Sequence, residues 1–263
     1  MKVGLLATIN EQGLPHITIL STLQARKPHE MFFGQFAEGM SKENIRKNPK
    51  VGFLIMTLDK DFWRGKARFT HTATQGEEFD LLNNTPMFRY NSYFGIHTVF
   101  YMDLVEQYGK TPLPMGKVII GAVKTIAAKT LAPIKSEKLV LNEWTRKLID
   151  KMDNLKFLCY VGTDSYPQII PVIQSQTSGT ENVLFSTSAF GEELTQIPLG
   201  ATVAFFCMSF SMETVLLRGV YQGVSRRAGL DCGGLQVNWV YSCMPPKSMQ
   251  IYPEQPIEAI REF

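Results

Sequence analysis

The chain has 263 residues, 44 % apolar and 19 % charged, with 27 basic against 24 acidic side chains and a net charge of +3. That length accommodates one large or two small domains, and the charged share lies below the ~25 % of an average globular protein, so an unusual part of the surface should be covered. The signs are mixed along the chain without a block of like charge, so no nucleic-acid partner is expected.

Residues 3–9 and 16–24 read as two strands, because the Gln12-Gly13 break separates two runs rich in Ile, Leu and Thr. Pro15 stands at a strand start, where its missing N–H costs least. Residues 30–36 predict a third strand. Over 41–48 the pattern turns helical, with Ser41 as candidate N-cap and Asn48-Pro49 as the stop. Residues 51–58 and 62–74 read as further strands, 77–82 as a short helix and 99–107 as a sixth strand. Short strands at close spacing with one brief helix favour a small antiparallel β-barrel.

Beyond Pro112 and Pro114 the pattern changes. An Ala/Lys/Ile run covers 115–129, and Trp144, Leu148 and Met152 at i, i+4 and i+8 lay one apolar stripe along a helix over 142–152. Without Gly/Ser enrichment this is a packed helical connector rather than a flexible linker. The most apolar stretch, 118–134, is interrupted by Lys124, Lys129 and Pro133, which argues against a span. No basic-then-apolar leader precedes the strand pattern at Val3, so a cytoplasmic protein without a membrane partner is expected.

From 155 onward the first pattern returns, as strands over 155–162, 168–176, 182–186, 201–208 and 214–224 with a helical piece near 192–197. Leu6 matches Leu158, Pro15 matches Pro167, Phe33 matches Phe185, Ile45 matches Ile197 and Val51-Gly52-Phe53 matches Val203-Ala204-Phe205, all at an offset of 152. After two extra residues in the second copy, Arg64-Gly65 meets Arg218-Gly219. The expectation is a tandem duplication: a barrel over 1–110, a helical connector over 111–154 and a repeat barrel over 155–263. The fold class is mainly β with a helical connector, two six-stranded antiparallel barrels in one chain.

Two constellations carry chemistry. Ser41, Lys42 and Asn44 at a helix start after Gly39 suit a phosphate, because free N–H groups and the helix dipole favour an anion and a Lys adds a point charge. Alone, such a motif reads as an ordinary Ser cap with a solvated Lys. Both side chains are expected to be exposed. The second copy has no basic residue there. On the strand at 62–74, alternation puts Arg64, Lys66 and Arg68 on one face, either as an anion contact or as edge protection. Gly65 and Gly219 recur, which calls for a bulge or a close strand approach. The four histidines show no ligand spacing, and Cys159, Cys207, Cys232 and Cys243 show no C-x-x-C spacing, so no metal site is expected. Glu77-Glu78 and Glu192-Glu193 read as solvated helix carboxylates. No Gly-rich dinucleotide or P-loop fingerprint is present.

The succession Ala7-Thr8, Gly13-Leu14-Pro15-His16, Phe33-Gly34, Ser41-Lys42-Glu43-Asn44-Ile45, Asn48-Pro49-Lys50-Val51 and Arg64-Gly65-Lys66-Ala67 resembles the pyridoxamine 5′-phosphate oxidase-like, FMN-binding split-barrel family. The resemblance covers about residues 3–107 and, more weakly, 155–224. It implies barrels that pair and bind FMN between them, here as an intrachain pseudo-dimer, with homodimer association left open. Ser41, Lys42 and Asn44 would then take the phosphate, Phe33, Gly34 and Gln35 would border the isoalloxazine, and Arg64 or Lys66 would lie close by. Thr18 and Leu23 stand where pyridoxamine phosphate oxidases carry a phosphate-binding Arg and a Lys, and their C-terminal substrate signature is not evident over 250–263. Vitamin B6 oxidation is therefore not expected.

The implied function is an FMN-dependent oxidoreductase in which flavin does the redox chemistry on an unknown small-molecule substrate or electron donor, which agrees with the lack of any catalytic triad. FAD, deazaflavin or haem are less favoured ligands of such barrels. A flavin carrier or redox sensor, and a degenerate barrel pair without cofactor, are the readings from other classes.

Overall fold

The computed structural model describes residues 2–37, 39–91, 95–244 and 248–255. The chain forms two compact units, Met1–Leu113 with Cys159–Ile169, and Pro114–Leu158 with Ile170–Phe263. The end of the stretch at 250–263, from residue 256, lies outside the described residues.

In the first unit, β1 (Lys2–Ile9) is buried on both faces from Gly4 onward, and it pairs with β2 (Pro15–Ile19) on one side and β5 (Lys50–Thr57) on the other. Strands β3 (Gln24–Lys27), β4 (Glu30–Gln35), β6 (Asp61–Ala73) and β7 (Thr98–Pro112) complete a seven-stranded antiparallel sheet in the order β2-β1-β5-β6-β7-β4-β3. The edge strands β2 and β3 are consecutive in the chain with only residues 20–23 between them, so the sheet must curl until its edges meet. Within that link, Leu20 N–H donates to the Gly4 carbonyl, while Thr22 Oγ1 donates to the Gly34 carbonyl at 3.0 Å and accepts from Gly34 N–H at 3.1 Å. One side chain thus ties the link to β4, the strand next to the edge.

The strand expected over 16–24 is therefore two strands, which raises the count from six to seven. Apolar periodicity ran on through the link because Leu20 and Leu23 face the barrel core, with Leu6, Met31, Phe33, Val51, Phe53, Ala67, Phe100 and Met102. Helix α1 (Met40–Lys47) adds Ile45 to this core, while α2 (Glu77–Asn83) and α3 (Pro86–Arg89) cover a second cluster on Phe32, Val99 and Tyr101.

The second sheet comprises β8 (Leu155–Val161), β9 (Pro167–Pro171), β10 (Gln176–Ser178), β11 (Asn182–Ser186), β12 (Thr202–Met208), β13 (Thr214–Arg227), β14 (Leu230–Ser242) and β15 (Met249–Tyr252), with α6 (Gly191–Thr195) after β11. Its order, β9-β8-β12-β13-β14-β11-β10 with β15 added on β14, repeats the first sheet strand for strand. The edge tie recurs too: Gln174, at an offset of 152 from Thr22, donates through Nε2 to the Ser186 carbonyl at 2.8 Å, and Ser186 is offset likewise from Gly34.

Two extra residues were expected between the aligned parts of β12 and β13. The structure has none: the ladders close at Met56↔Phe62 and at Met208↔Thr214, so the turns are residues 57–61 and 209–213 and are equally long. The two ladders keep the same register, so Gly219 stands where the first copy has Ala67, and Leu217 stands where it has Gly65. Gly65 pairs with Phe53, whereas Gly219 pairs with Val203, two residues from the Phe205 that aligns with Phe53. Both glycines stand at a register shift, where a Cβ would fall 2.0 Å from the Glu106 carbonyl oxygen at Gly65 and 2.1 Å from that of Gln236 at Gly219. The backbone reason expected for these glycines is a bulge with close strand approach.

Helices α4 (Met115–Leu131) and α5 (Glu143–Asp150) lie between the sheets in sequence. Asn142 caps α5, its Oδ1 accepting from Thr145 N–H at 2.8 Å. The expected stripe differs: α5 buries Thr145, Leu148 and Ile149, and Met152 lies beyond the helix and exposed, since the chain leaves helical geometry at Lys151. Next to it, Lys156 is fully buried, its ammonium donating to the carbonyls of Ile173 at 3.2 Å and Ser175 at 3.0 Å. Burial pulls its pKa from 10.5 down to about 8, against the pull of Cys207 and Asp150.

Gly219→Ala should destabilise by roughly 1–3 kcal/mol, the range for overpacking, because the carbonyl it meets is backbone, while Gly116→Ala, with open space around its Cβ position, should cost nothing; urea unfolding measures both. Because the folded pKa of Lys156 lies below its unfolded value, the cost of its charge is present in full below about pH 8 and is relieved as pH rises towards 10.5. The unfolding free energy of the wild type, referred to Lys156→Met at each pH, should therefore rise by roughly 3 kcal/mol across that window.

Candidate functional site

Helix α1 begins where the chain leaves β4, turns at Gly39 and enters the first turn with Met40, Ser41 and Lys42. Gly39, not Ser41, is the N-cap, and no N-cap side chain bonds to the first turn. Ser41 and Lys42 were expected on an exposed helix start. They are buried, at 2 % and 8 % exposure, because Ile45 must reach the barrel core and the helix lies down on it. Asn44 Nδ2 donates to Thr8 Oγ1 of β1 at 3.1 Å, which fixes the roll of α1 against the sheet. The Lys42 ammonium lies 3.7 Å from where a Cβ on Gly39 would stand. Glu43, the acidic residue of the first turn, points to solvent.

These residues fit a phosphate. The first turn lacks a side-chain cap, so N–H groups other than that of Lys42, which donates to the Gly39 carbonyl at 3.1 Å, can serve an anion, and a buried lysine sits beside them. A phosphate there would accept charge-assisted hydrogen bonds from its ammonium.

The residues expected beside a flavin ring sit differently. Phe33 is fully buried and stacks on Phe100 at 4.9 Å between ring centroids. A Cβ on Gly34 would fall 2.7 Å from both Ile96 and Leu82, so its face is already covered. Gln35 is 2 % exposed. The β4 side chains thus supply packing and no open ring platform. Thr18 is half-buried on β2 opposite Leu6, and Leu23 belongs to the barrel core.

On β6, Arg64, Lys66 and Arg68 share the outward face, as alternation predicts, since Gly65, Ala67 and Phe69 turn towards the core. Residues 159–169, part of this unit, carry partners for them. Lys66 bonds Glu106 at 2.5 Å and Asp164 at 2.9 Å, with Tyr108 below its ammonium at 5.6 Å. Arg64 Nη1 donates to the Ile169 carbonyl at 3.0 Å, and Lys50 Nζ donates to that of Asp164 at 2.9 Å while lying over the Tyr166 ring. Gly52 permits this approach, since a Cβ there would sit 2.1 Å from the Pro167 carbonyl oxygen. Burial works against the charge on Lys66, but hydrogen bonds to Glu106, Asp164 and Tyr108 outweigh it and raise its pKa. Burial likewise pushes the Asp164 carboxyl up, and Lys66 with the Tyr166 N–H holds it below the usual range.

Glu106 was findable from the sequence, because the β6–β7 ladder sets it opposite Lys66. Asp164, in a turn distant in sequence, carried no local signal. Glu78, expected to be solvated, accepts from Tyr101 Oη at 3.1 Å. In the second sheet the positions of Ser41, Lys42 and Asn44 fall on Glu193, Leu194 and Gln196. There α6 opens with Glu192 and Glu193, and the Leu194 carbonyl is taken by Tyr221 Oη at 2.8 Å.

No family model matches this sequence, and no curated protein matches it. Among solved structures it is similar to an FMN-binding protein from Syntrophomonas wolfei subsp. wolfei, at 17 % identity and a TM-score of 0.36 over 42 % of this chain and 77 % of that one. It is also similar to an F420 reductase, at 15 % identity and a TM-score of 0.32 over 41 % of this chain and 88 % of that one. General Stress Protein 26 from Bacillus anthracis str. Sterne matches at 15 % identity and a TM-score of 0.32, over 43 % of this chain and 89 % of that one.

Asp164→Asn should lower the unfolding midpoint, by no more than about 1 kcal/mol because the carboxylate is partly exposed. A depressed folded pKa gives stability that is present above the ordinary value of 3.8 and lost as pH falls through the folded one. The gap between wild type and variant should accordingly close in acid, as followed by thermal unfolding from neutral pH downward.

Proposed function

We propose that the first barrel binds FMN by its phosphate at the start of α1, and that the chain is an FMN-dependent oxidoreductase similar to the pyridoxamine 5′-phosphate oxidase-like proteins. The observation that carries the phosphate assignment is the buried ammonium of Lys42 beside a first helical turn without a side-chain cap. Ser41 would add a hydroxyl, and Asn44, held to Thr8, keeps the helix in place. A bound flavin would supply hydride or electron transfer, and the side chains described here would bind and orient it.

In this reading the chain is a tandem duplication: residues 1–110 form the flavin-binding barrel, 111–154 the connector and 155–263 a repeat whose site is lost. The repeated strand order and the recurring edge tie support the duplication. The carboxylates Glu192 and Glu193 at the start of α6 support the loss, because they repel a phosphate. Arg64 and Lys66 enter as residues that brace the face of β6. Two carboxylates hold the Lys66 ammonium, which engages it within the protein surface.

The test compares FMN with riboflavin, which lacks the phosphate, by fluorescence titration. The wild type should bind FMN more tightly than riboflavin, with about one site per chain. Lys42→Gln should weaken FMN by about tenfold or more, as expected for loss of a charge-assisted hydrogen bond, and leave riboflavin unchanged. Lys42→Arg should restore part of the difference, and Glu193→Gln should change neither. Equal affinity for the two flavins would remove the phosphate from α1. Indifference to both would favour the reading as a barrel pair without cofactor, to which the covered faces of Phe33 and Gly34 already lend weight.

A further inference from the structure

Helix α4 departs from what a surface helix normally is. Its inner face packs Val118, Gly121, Ala122, Thr125 and Ala128 on β10, β11 and β14. Ser186 N–H donates to Thr125 Oγ1, which donates to the Gly121 carbonyl, so this face is both apolar and satisfied. A helix packed this way ordinarily turns charged residues to solvent. Here the outward face holds Ile119 and Ile120, each 55 % exposed, Val123 at 60 %, Ile126 at 37 % and Leu131 at 70 %. Thr130, on the same face, turns its hydroxyl back to the Ile126 carbonyl at 2.9 Å.

At 100° per residue these side chains form one continuous stripe. Lys117 and Lys124, both exposed, run along one flank, and Lys129 stands on the other, paired with Asp150. Between Glu106 and Glu137 the sequence has Lys110, Lys117, Lys124, Lys129 and Lys135 and no carboxylate at all. An apolar face flanked by the exposed Lys117 and Lys124, on a helix without a carboxylate of its own, is the pattern of a helix that lies in the plane of a membrane interface.

We propose that α4 docks the chain on an anionic lipid surface, with Ile119, Ile120, Val123, Ile126 and Leu131 in the headgroup–acyl boundary and Lys117 and Lys124 on lipid headgroups. No helix of the described residues is long and apolar enough to cross a membrane, and docking asks only for a face. Charge favours this occupant over a second copy of the chain. An antiparallel pairing of α4 about a two-fold axis would line up Lys117 and Lys124 of both copies along one edge. A parallel one would set them against the Lys129 edge, whose charge Asp150 already balances. Neither offers an acidic partner. The proposal is independent of the flavin assignment.

The test is flotation of the full chain with phosphatidylcholine vesicles, with and without phosphatidylglycerol. The chain should float with the anionic vesicles, less so with phosphatidylcholine alone, and less so as salt rises. Val123→Glu and Ile120→Gln, both at exposed positions, should abolish and weaken flotation respectively, with unfolding midpoints unchanged. Lys117→Gln with Lys124→Gln should weaken binding to anionic vesicles by about fivefold per lysine and flatten the salt dependence. Absence of flotation with phosphatidylglycerol vesicles would overturn the proposal. So would a dimer in analytical ultracentrifugation that Val123→Glu converts to monomer, since that would give the face to a second copy.

Discussion

The constraint on which both sheets depend is that their two edge strands are neighbours in the chain. With only residues 20–23 to span from β2 to β3, and 172–175 from β9 to β10, an open sheet is impossible. Each sheet has to close, and its link has to carry both packing and hydrogen bonds. Thr22 and Gln174 do the second by reaching backbone groups of β4 and β11. Leu20 and Leu23 do the first in the barrel core. Closure also demands strong local bending where β6 meets β7 and β13 meets β14, and the register shifts at Gly65 and Gly219 provide it. Only a residue without Cβ can bring those carbonyls so near.

Closure in turn decides where charge can be used. The core takes Ile45 from α1, which forces the preceding turn down onto the barrel and buries Ser41 and Lys42. On β6 the outward cations meet a different fate. Glu106 faces Lys66 from the neighbouring strand, and Asp164 adds a second carboxylate. Among these basic residues the useful distinction is therefore what each one already faces. A lysine held between two carboxylates is neutralised and braces the surface, whereas Lys42 is buried at the start of a helix whose N-cap is a glycine.

Much of the fold was legible because its rules are local. Alternation located the strands, Pro15 and Asn48-Pro49 marked ends, and the offset of 152 exposed two similar halves. The misses share a cause in tertiary context. The break in the strand expected over 16–24 was hidden because a core-facing link keeps an apolar pattern. Ser41 looked like a cap because capping residues favour that place, but the backbone turns two residues earlier, at Gly39. The expected two-residue insertion arose from matching Gly65 with Gly219, which each stand at a bulge but two places apart in otherwise matching ladders. Strand β14 went unread; its Gly233 is where the Phe185 ring needs room. Of the site, residue types and spacing at α1 were readable. The burial of Lys42 and the engagement of Lys66 by Asp164 required the folded chain.

The connector shows how one set of residues supports two inferences about membranes. Lys124, Lys129 and Pro133 argue against a span, since charge inside the hydrocarbon is expensive and the helix ends too soon. Those same lysines, once the inner face of α4 is known to be occupied by the sheet, become the rim of a face that has no aqueous reason to be apolar. Hydrophobicity alone could not separate a buried helix from one that lies at an interface, because both read as apolar runs. Exposure separates them: Val118, Ala122 and Thr125 are spent on β10, β11 and β14, and Ile119, Ile120 and Val123 are left over. A helix whose inner face already satisfies the fold keeps such residues outward at the expense of solubility, so their role lies in what the surface meets.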